Sequence, residues 1–274
     1  MDAHIPMNRT AEMPPLLDFH NLRVMRGQKI ALDDFTLRIG ADEHVAILGP
    51  NGCGKSTLIK TITRECYPLA RNDLREDSWM KLLGEETWDV FKLREHMGIV
   101  SNDLMLSVTG EASGRDVVLS GFFSSTAIWP NHMVDSEKVR LADAALAELR
   151  ISHLAERPVE AMSSGEARRV LIARALVHKP GALLFDEPCN SLDLSAQQSV
   201  RHTMRELANA GTAIILVTHE LADIVPEIGR VVLMDRGRVV ADGPKEEILQ
   251  VERLAELFGI KVELARRDGH YHLW

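Results

Sequence analysis

Nine residues, Gly49-Pro50-Asn51-Gly52-Cys53-Gly54-Lys55-Ser56-Thr57, fit the pattern G-x-x-x-x-G-K-[ST], which only a tight strand-to-helix loop can satisfy. The apolar run Val45-Ala46-Ile47-Leu48 supplies a buried strand entering the loop, and Ser56 to Glu65 is expected to form the helix leaving it. Glycines let the backbone curl so that successive N–H groups point inward, and a helix N-terminus adds roughly half a positive charge at the same place. A loop of this kind holds the phosphates of a nucleotide. Lys55 is placed to reach the outer phosphates and Ser56 to ligate Mg²⁺, a cation that keeps several waters and takes few protein ligands.

A chain of 274 residues can bury a sizeable core without covalent staples. Its three cysteines, Cys53, Cys66 and Cys189, match neither a disulfide framework nor a zinc spacing, as expected of a reducing, cytoplasmic setting. The apolar run Ala213 to Val217 has the length of a sheet strand, far short of a membrane span. A net charge of −8 argues against a nucleic-acid partner. Residues 1–15 carry three prolines and no apolar block, and are expected to form a flexible tail.

From Ile30 to Ile39 the pattern alternates, with Phe35, Leu37 and Ile39 on one face, predicting antiparallel β structure before the loop. Beyond the loop, Ala182 to Phe185, Ala213 to Val217 and Val231 to Met234 read as buried strands, two of them after helix-like stretches, so the fold class is α/β. Met234 to Val240 reads as a closing hairpin turning through Asp235-Arg236-Gly237. More than a hundred residues separate Thr57 from Leu183, too many for one crossover, so a subdomain is inserted at about 103–178. Val139, Leu141, Ala145, Leu146 and Leu149 give that insert a helical apolar stripe of ordinary core type.

Two carboxylates, Asp186 and Glu187, close the run Ala182 to Phe185, at the strand edge where open α/β sheets bind ligands. Asp186 is expected to hold Mg²⁺ through its water shell, and Glu187 to orient or deprotonate an attacking water. His219 ends the run Thr212 to Thr218 on the same edge, within reach of an outermost phosphate. Ser163 and Glu166 make S-x-x-E before a long helix running to about His178: a capping box, and equally an anion-binding helix start.

Taken in order, Gly49 to Thr57, Ser163 to Glu166, Leu183 to Glu187, Ser191-Leu192-Asp193 and His219 resemble the phosphate loop, signature, Walker B strand, D-loop and switch histidine of ABC-type ATPases. The resemblance spans about 17–247. It implies a RecA-like phosphate-loop core with an N-terminal antiparallel β subdomain and an inserted helical subdomain, one ATPase domain over 16–250, and a C-terminal extension over 251–274. It also implies ATP hydrolysis with Mg²⁺ by a head-to-tail homodimer, in which Ser163 and Gly165 of one subunit complete the phosphate loop of the other.

Three positions depart from the family pattern. Arg26 stands where an aromatic residue usually stacks on adenine; a guanidinium plane can stack too. Asn102 stands for the usual glutamine that serves the metal and the attacking water, and its shorter reach predicts slow but real turnover. The signature reads Ser163-Ser164-Gly165-Glu166 rather than the commoner form with two glycines and a glutamine, resembling a molybdate-transport-like and photorepair-associated subgroup.

Two functions fit the resemblance. One is the cytoplasmic motor subunit of a transporter, peripheral to the membrane beneath a separate membrane-spanning permease whose helices enter a groove walled by Asn102 to Leu106. The alternative is a soluble ABC ATPase acting on nucleic acid, the ribosome or another protein. Gly121 to Pro130 is aromatic for a chain with 5% aromatic residues, and is either satellite core or a docking patch, with burial favoured. The stretch from Val251 reads as a mixed surface tail, with a helix followed by a strand and a metal role for His270-Tyr271-His272 as the lesser readings.

Overall fold

The computed structural model describes residues 13–69, 77–101, 103–104 and 111–274. Asn102, Leu106 and most of the expected N-terminal tail lie outside the described residues.

Strand β1 (Leu17–Arg26) pairs antiparallel with β2 (Lys29–Ile39) on one side and with β4 (Trp79–Leu82) on the other. Phe35, Leu37 and Ile39 are buried and Thr36 and Arg38 exposed, as the alternation predicts. Strict period two fails upstream: Leu32 and Phe35 are both buried three residues apart because Asp34 adopts φ 53° and Asn21 opposite adopts φ 51°. These irregularities bend the ribbon and shift its register.

A six-stranded sheet has the order β5 (Met97–Val100), β6 (Ala182–Asp186), β7 (Ala213–Thr218), β3 (Val45–Leu48), β8 (Arg230–Asp235), β9 (Arg238–Pro244). Its first five strands run parallel and β9 returns antiparallel. Both faces are covered, which is why these strands read as unbroken apolar runs. Val45, Ile47 and Leu184 point into a core shared with β1 and β2, while Ala46, Leu183 and Phe185 point into a second core shared with the helices. The β8–β9 turn places Arg236 at φ 45° and Gly237 at φ 77°, the two positive angles of a type I′ hairpin.

Helix α1 (Lys55–Ile62) is shorter than the predicted span to Glu65. Arg64 enters the left-handed region at φ 62°, and Glu65 N–H bonds back to Lys60 C=O at 2.7 Å, a Schellman-type stop with arginine in place of the usual glycine. After α2 (Val90–His96), the insert builds α3 (Gly114–Ser120), α4 (Ser136–Glu148) and α5 (Ser164–Leu176), which pack on one another. On α4 the buried face is Ala142, Ala145 and Leu146, with Leu149 buried just beyond its end; Val139 and Leu141 are only half-buried. Of the aromatic stretch, Phe122 and Phe123 are half-buried while Trp129 is 54% exposed, so burial holds for the first part alone.

Helix α6 (Leu194–Asn209) follows an Asp193 cap, and the chain ends in α7 (Lys245–Ile248), α8 (Val251–Phe258) and a hairpin of β10 (Leu264–Arg267) with β11 (His270–Leu273). The surface-tail expectation is therefore corrected. Leu254 and Tyr271 are buried in the helix-side core, because an apolar stripe on α8 and one face of the hairpin have a surface to cover. Among the described residues no group of three His, Cys, Asp or Glu side chains could hold a metal, and no helix is long and apolar enough to cross a membrane.

Candidate functional site

The phosphate loop is built by close approaches that admit little but glycine. A Cβ on Gly49 would lie 2.3 Å from the Met234 carbonyl oxygen. Gly54, at φ 115°, opens α1 with no side-chain cap and no acid in the first turn, leaving the helix start free for an outside anion. Cys53 N–H bonds to Pro50 C=O at 3.3 Å and Cys53 C=O accepts from Gly237 N–H at 2.7 Å, so the β8–β9 turn clamps the loop. The Cys53 side chain is buried, and burial raises its thiol pKa, which makes it filling rather than a nucleophile.

Lys55 is 6% exposed. Its Nζ donates to Gly49 C=O at 2.8 Å and Pro50 C=O at 3.2 Å, and lies 3.9 Å from Glu187 Oε1. Its two hydrogen-bond acceptors are neutral carbonyls, and its ion-pair contact is with Glu187. Ser56 is exposed beside it and Thr57 is buried, its carbonyl taken by the Thr61 hydroxyl at 2.8 Å.

Glu187 sits at φ 46°, a left-handed conformation worth about 1–3 kcal/mol of strain for a non-glycine residue. Its N–H is held by Val217 C=O at 2.8 Å, which turns the chain sharply off β6 and aims the carboxylate across to β7. There His219 Nδ1 lies 3.0 Å from Glu187 Oε1, while Nε2 lies 3.6 Å from Glu220 Oε1. Asp186, one residue earlier, is pushed up to about 6 by burial and then by the charges of Glu187 and Asp103, against Lys55 and Arg168. A carboxylate and a serine hydroxyl are oxygen donors of the type a hard divalent cation takes.

An open pocket of about 420 Å³ runs from Arg26, Lys29 and Ile30 past Asn51, Gly52 and Lys55 to Glu187. It holds Gly54, Ser56 and Thr57 as well, so the predicted loop, Arg26 and Glu187 converge. His219 joins through Glu187, and Asp186 adjoins it in sequence. Ser163 and Gly165 do not line this pocket. Ser163 caps α5, its hydroxyl accepting from Glu166 N–H at 3.2 Å, and Gly165 permits α5 to approach Ala196, which a Cβ would meet at 2.7 Å. Lys29, Ile30 and Arg236 also line the pocket and were not singled out from the sequence. Only the Asp235-Arg236-Gly237 turn signal touched them.

The family model described as ABC transporter matches residues 32–190. The chain belongs to the ABC transporter ATP-binding family. It is 32% identical over 265 residues to the hemin import ATP-binding protein HmuV of Bradyrhizobium diazoefficiens, covering 94% of this chain and 93% of the relative. It is 31% identical over 246 residues to HmuV of Aliivibrio fischeri, covering 88% and 90%. Among solved structures it superposes on CbiO1 of Clostridium perfringens, part of the cbiONQ transporter complex, with a TM-score of 0.72 and 27% identity over 89% of this chain and 94% of that one. A metal-chelate type ABC transporter in an inward-facing conformation gives a TM-score of 0.76 at 24% identity, covering 96% of both chains, which bears on the fold alone.

This ABC ATPase binds ATP and hydrolyses it to ADP and phosphate as the ATP-binding subunit of a transporter. The relatives named here are hemin-import proteins, so the molybdate-like subgroup suggested by the signature finds no support in them.

Proposed function

We propose that this chain is the ATPase of an importer for haem or a related metal chelate, acting as a homodimer on the cytoplasmic face of the membrane under a separate permease. The observation that carries the reading is the likeness to hemin-import ATP-binding proteins along nearly the whole chain. The ATPase domain is taken as 16–250 with the helical insert at about 103–178.

In the proposed cycle the loop N–H groups from Asn51 to Thr57 and the α1 N-terminus receive the β- and γ-phosphates, and Lys55 swings its charge from the Gly49 and Pro50 carbonyls onto them. Arg26 and Ile30 at the far rim bracket the base. Ser56, Asp186 and the amide of Asn102 would hold Mg²⁺, which would supply neutralisation of the phosphate charge. Glu187 orients and deprotonates the attacking water. His219, steered by Glu187 at 3.0 Å, presents its other ring nitrogen to the γ-phosphate. Ser163 and Gly165 lie outside the pocket of their own chain, which supports their service in a partner's site: a two-fold head-to-tail pair would supply both sites equally.

Growth of the source cell on haem as sole iron source tests the reading. A strain lacking this chain should fail to grow and recover with the wild type but not with Lys55→Ala. Unimpaired growth of the deletion strain would refute the haem reading, and if the chain purifies alone from solubilised membranes the soluble alternative takes its place.

A further inference from the structure

A second concavity, of about 420 Å³, lies between α6 and the C-terminal hairpin. On the helix side Gln198, Arg201, His202 and Arg205 fall at i, i+3, i+4 and i+7, so one face of α6 supplies them all. On the hairpin side His270 and His272 share the face of β11 opposite buried Tyr271, and Arg267 stands across from His270. Of the lining residues only Asp268 carries a carboxylate, in a chain with 40 Asp and Glu and a net charge of −8.

The two inner arginines are braced by carboxylates that do not line the cavity. Arg201 donates through Nε and Nη2 to Asp223 Oδ1 at 3.0 and 2.8 Å, and Arg205 donates through Nε to the Glu227 carboxylate at 2.8 and 3.0 Å. Among the described residues Arg201 Nη1 and both terminal nitrogens of Arg205 have no hydrogen-bond acceptor. His202 faces Glu206, 3.4 Å away and also outside the lining. Burial, then the charges of Arg205, Arg201 and His272, hold His270 below its usual pKa against Glu227. At this imidazole the cations outweigh the carboxylate.

We propose that this cavity binds a phosphate group of a small molecule and slows ATP turnover when filled. Phosphate oxygens accept from several guanidinium and imidazole N–H groups at once, and braced guanidiniums hold their geometry without a ligand. Ala222 is the one apolar side chain of the lining, which disfavours a flat apolar macrocycle such as haem. The proposal is independent of the transported cargo.

Occupancy bears on the ATP site through one shared carboxylate. Asp223, 2% exposed, accepts from Arg201 on Oδ1 and from the Thr218 hydroxyl on Oδ2 at 3.3 Å. Thr218 is the residue before His219. Strand β11 packs on the 3₁₀ turn Leu221–Asp223, and a Cβ on Gly269 would lie 3.1 Å from Pro226 Cβ. A phosphate that draws Arg201 toward the cavity loosens its hold on Asp223, and with it the strand end that aims His219.

Inorganic pyrophosphate is the probe. Titrated by calorimetry into the full chain carrying Lys55→Ala, which removes the phosphate loop's own amine, it should bind, and its affinity should fall about tenfold when Arg267→Glu or His272→Glu is added. Arg267 is 90% exposed, and urea unfolding checks that each variant folds. Arg266→Glu makes the same charge change on the opposite face of β10, where Arg266 meets Glu246, and should leave the affinity unchanged. With Mg²⁺ in excess and ATP saturating, pyrophosphate should slow ADP formation by the wild type about fivefold and leave the Arg267→Glu chain unaffected. Sedimentation with phosphatidylcholine vesicles carrying phosphatidic acid separates two sources of phosphate: retention that Arg267→Glu abolishes assigns a lipid headgroup, and no retention assigns a soluble ester. Absent pyrophosphate binding, or equal affinity in the parent, Arg267→Glu and His272→Glu chains, overturns the site. An equal loss in Arg266→Glu reduces the effect to overall charge and overturns it too. Binding that leaves turnover unchanged overturns the link through Asp223 and keeps the site.

Discussion

His219 Nδ1 faces Glu187 Oε1 at 3.0 Å, across the gap between the ends of two adjacent parallel strands. That contact depends on the left-handed turn at Glu187, and the second ring nitrogen of His219 lies 3.6 Å from Glu220 Oε1. Lys55 stands 3.9 Å from the same oxygen, so Glu187, His219 and the phosphate-loop lysine form one cluster.

Replacing Glu187 by Gln keeps the shape and removes the base. ATP turnover should fall about 10²–10⁴-fold while ATP stays bound, read by phosphate release and by nucleotide retained through a desalting column. Turnover within about threefold of wild type would take the base role away from Glu187.

Lys55→Ala should weaken ATP binding about 10–100-fold, the loss of a charge-assisted contact, measured by titration calorimetry. Stability without nucleotide should change little, because the amine meets only the Gly49 and Pro50 carbonyls at hydrogen-bond distance.

Gly49→Ala tests the loop's construction. Its Cβ would be driven into Met234 C=O, so a loss of about 1–3 kcal/mol in chemical denaturation is expected together with loss of nucleotide binding.

Asn102→Gln should leave steady-state turnover equal or higher, since it lengthens the reach of an amide otherwise short for its role. A collapse of activity would mean that the position is not the one equivalent to the family's glutamine.

Tyr271→Ala tests the end of the chain. Tyr271 is 4% exposed, so its truncation should cost about 2–4 kcal/mol in urea unfolding, where a surface tail would cost almost nothing.

Much of this was legible because burial on both faces leaves a simple trace. Val45 to Leu48, Ala182 to Phe185 and Ala213 to Val217 are apolar at every position, and each is a strand of the mixed sheet. The loop, Asp186, Glu187 and His219 followed from where those strands end. What escaped the reading depends on tertiary contacts. Nothing local to Lys29 or Ile30 says that the β1–β2 hairpin folds over the phosphate loop, and Arg236 reaches the pocket only because Gly237 is bonded to Cys53. Irregularities at Asn21 and Asp34 broke the alternation, and the stop at Arg64 used an arginine where glycine is usual. The C-terminal hairpin did leave a signal: Asp268-Gly269, at φ 51° and 79°, is a two-residue turn pair, but Leu264 to Arg267 gives it little apolar alternation.

In the proposed cycle one chain holds an incomplete site, which a second copy closes with Ser163 and Gly165. Light scattering on Glu187→Gln, with and without ATP, measures this most directly when Ser163→Arg is added as a second variant. A monomer is expected without nucleotide, a dimer with ATP, and an ATP-bound monomer for the Ser163→Arg double variant. This expectation is contradicted if Glu187→Gln remains monomeric with ATP bound while the wild type hydrolyses ATP at a per-chain rate independent of protein concentration.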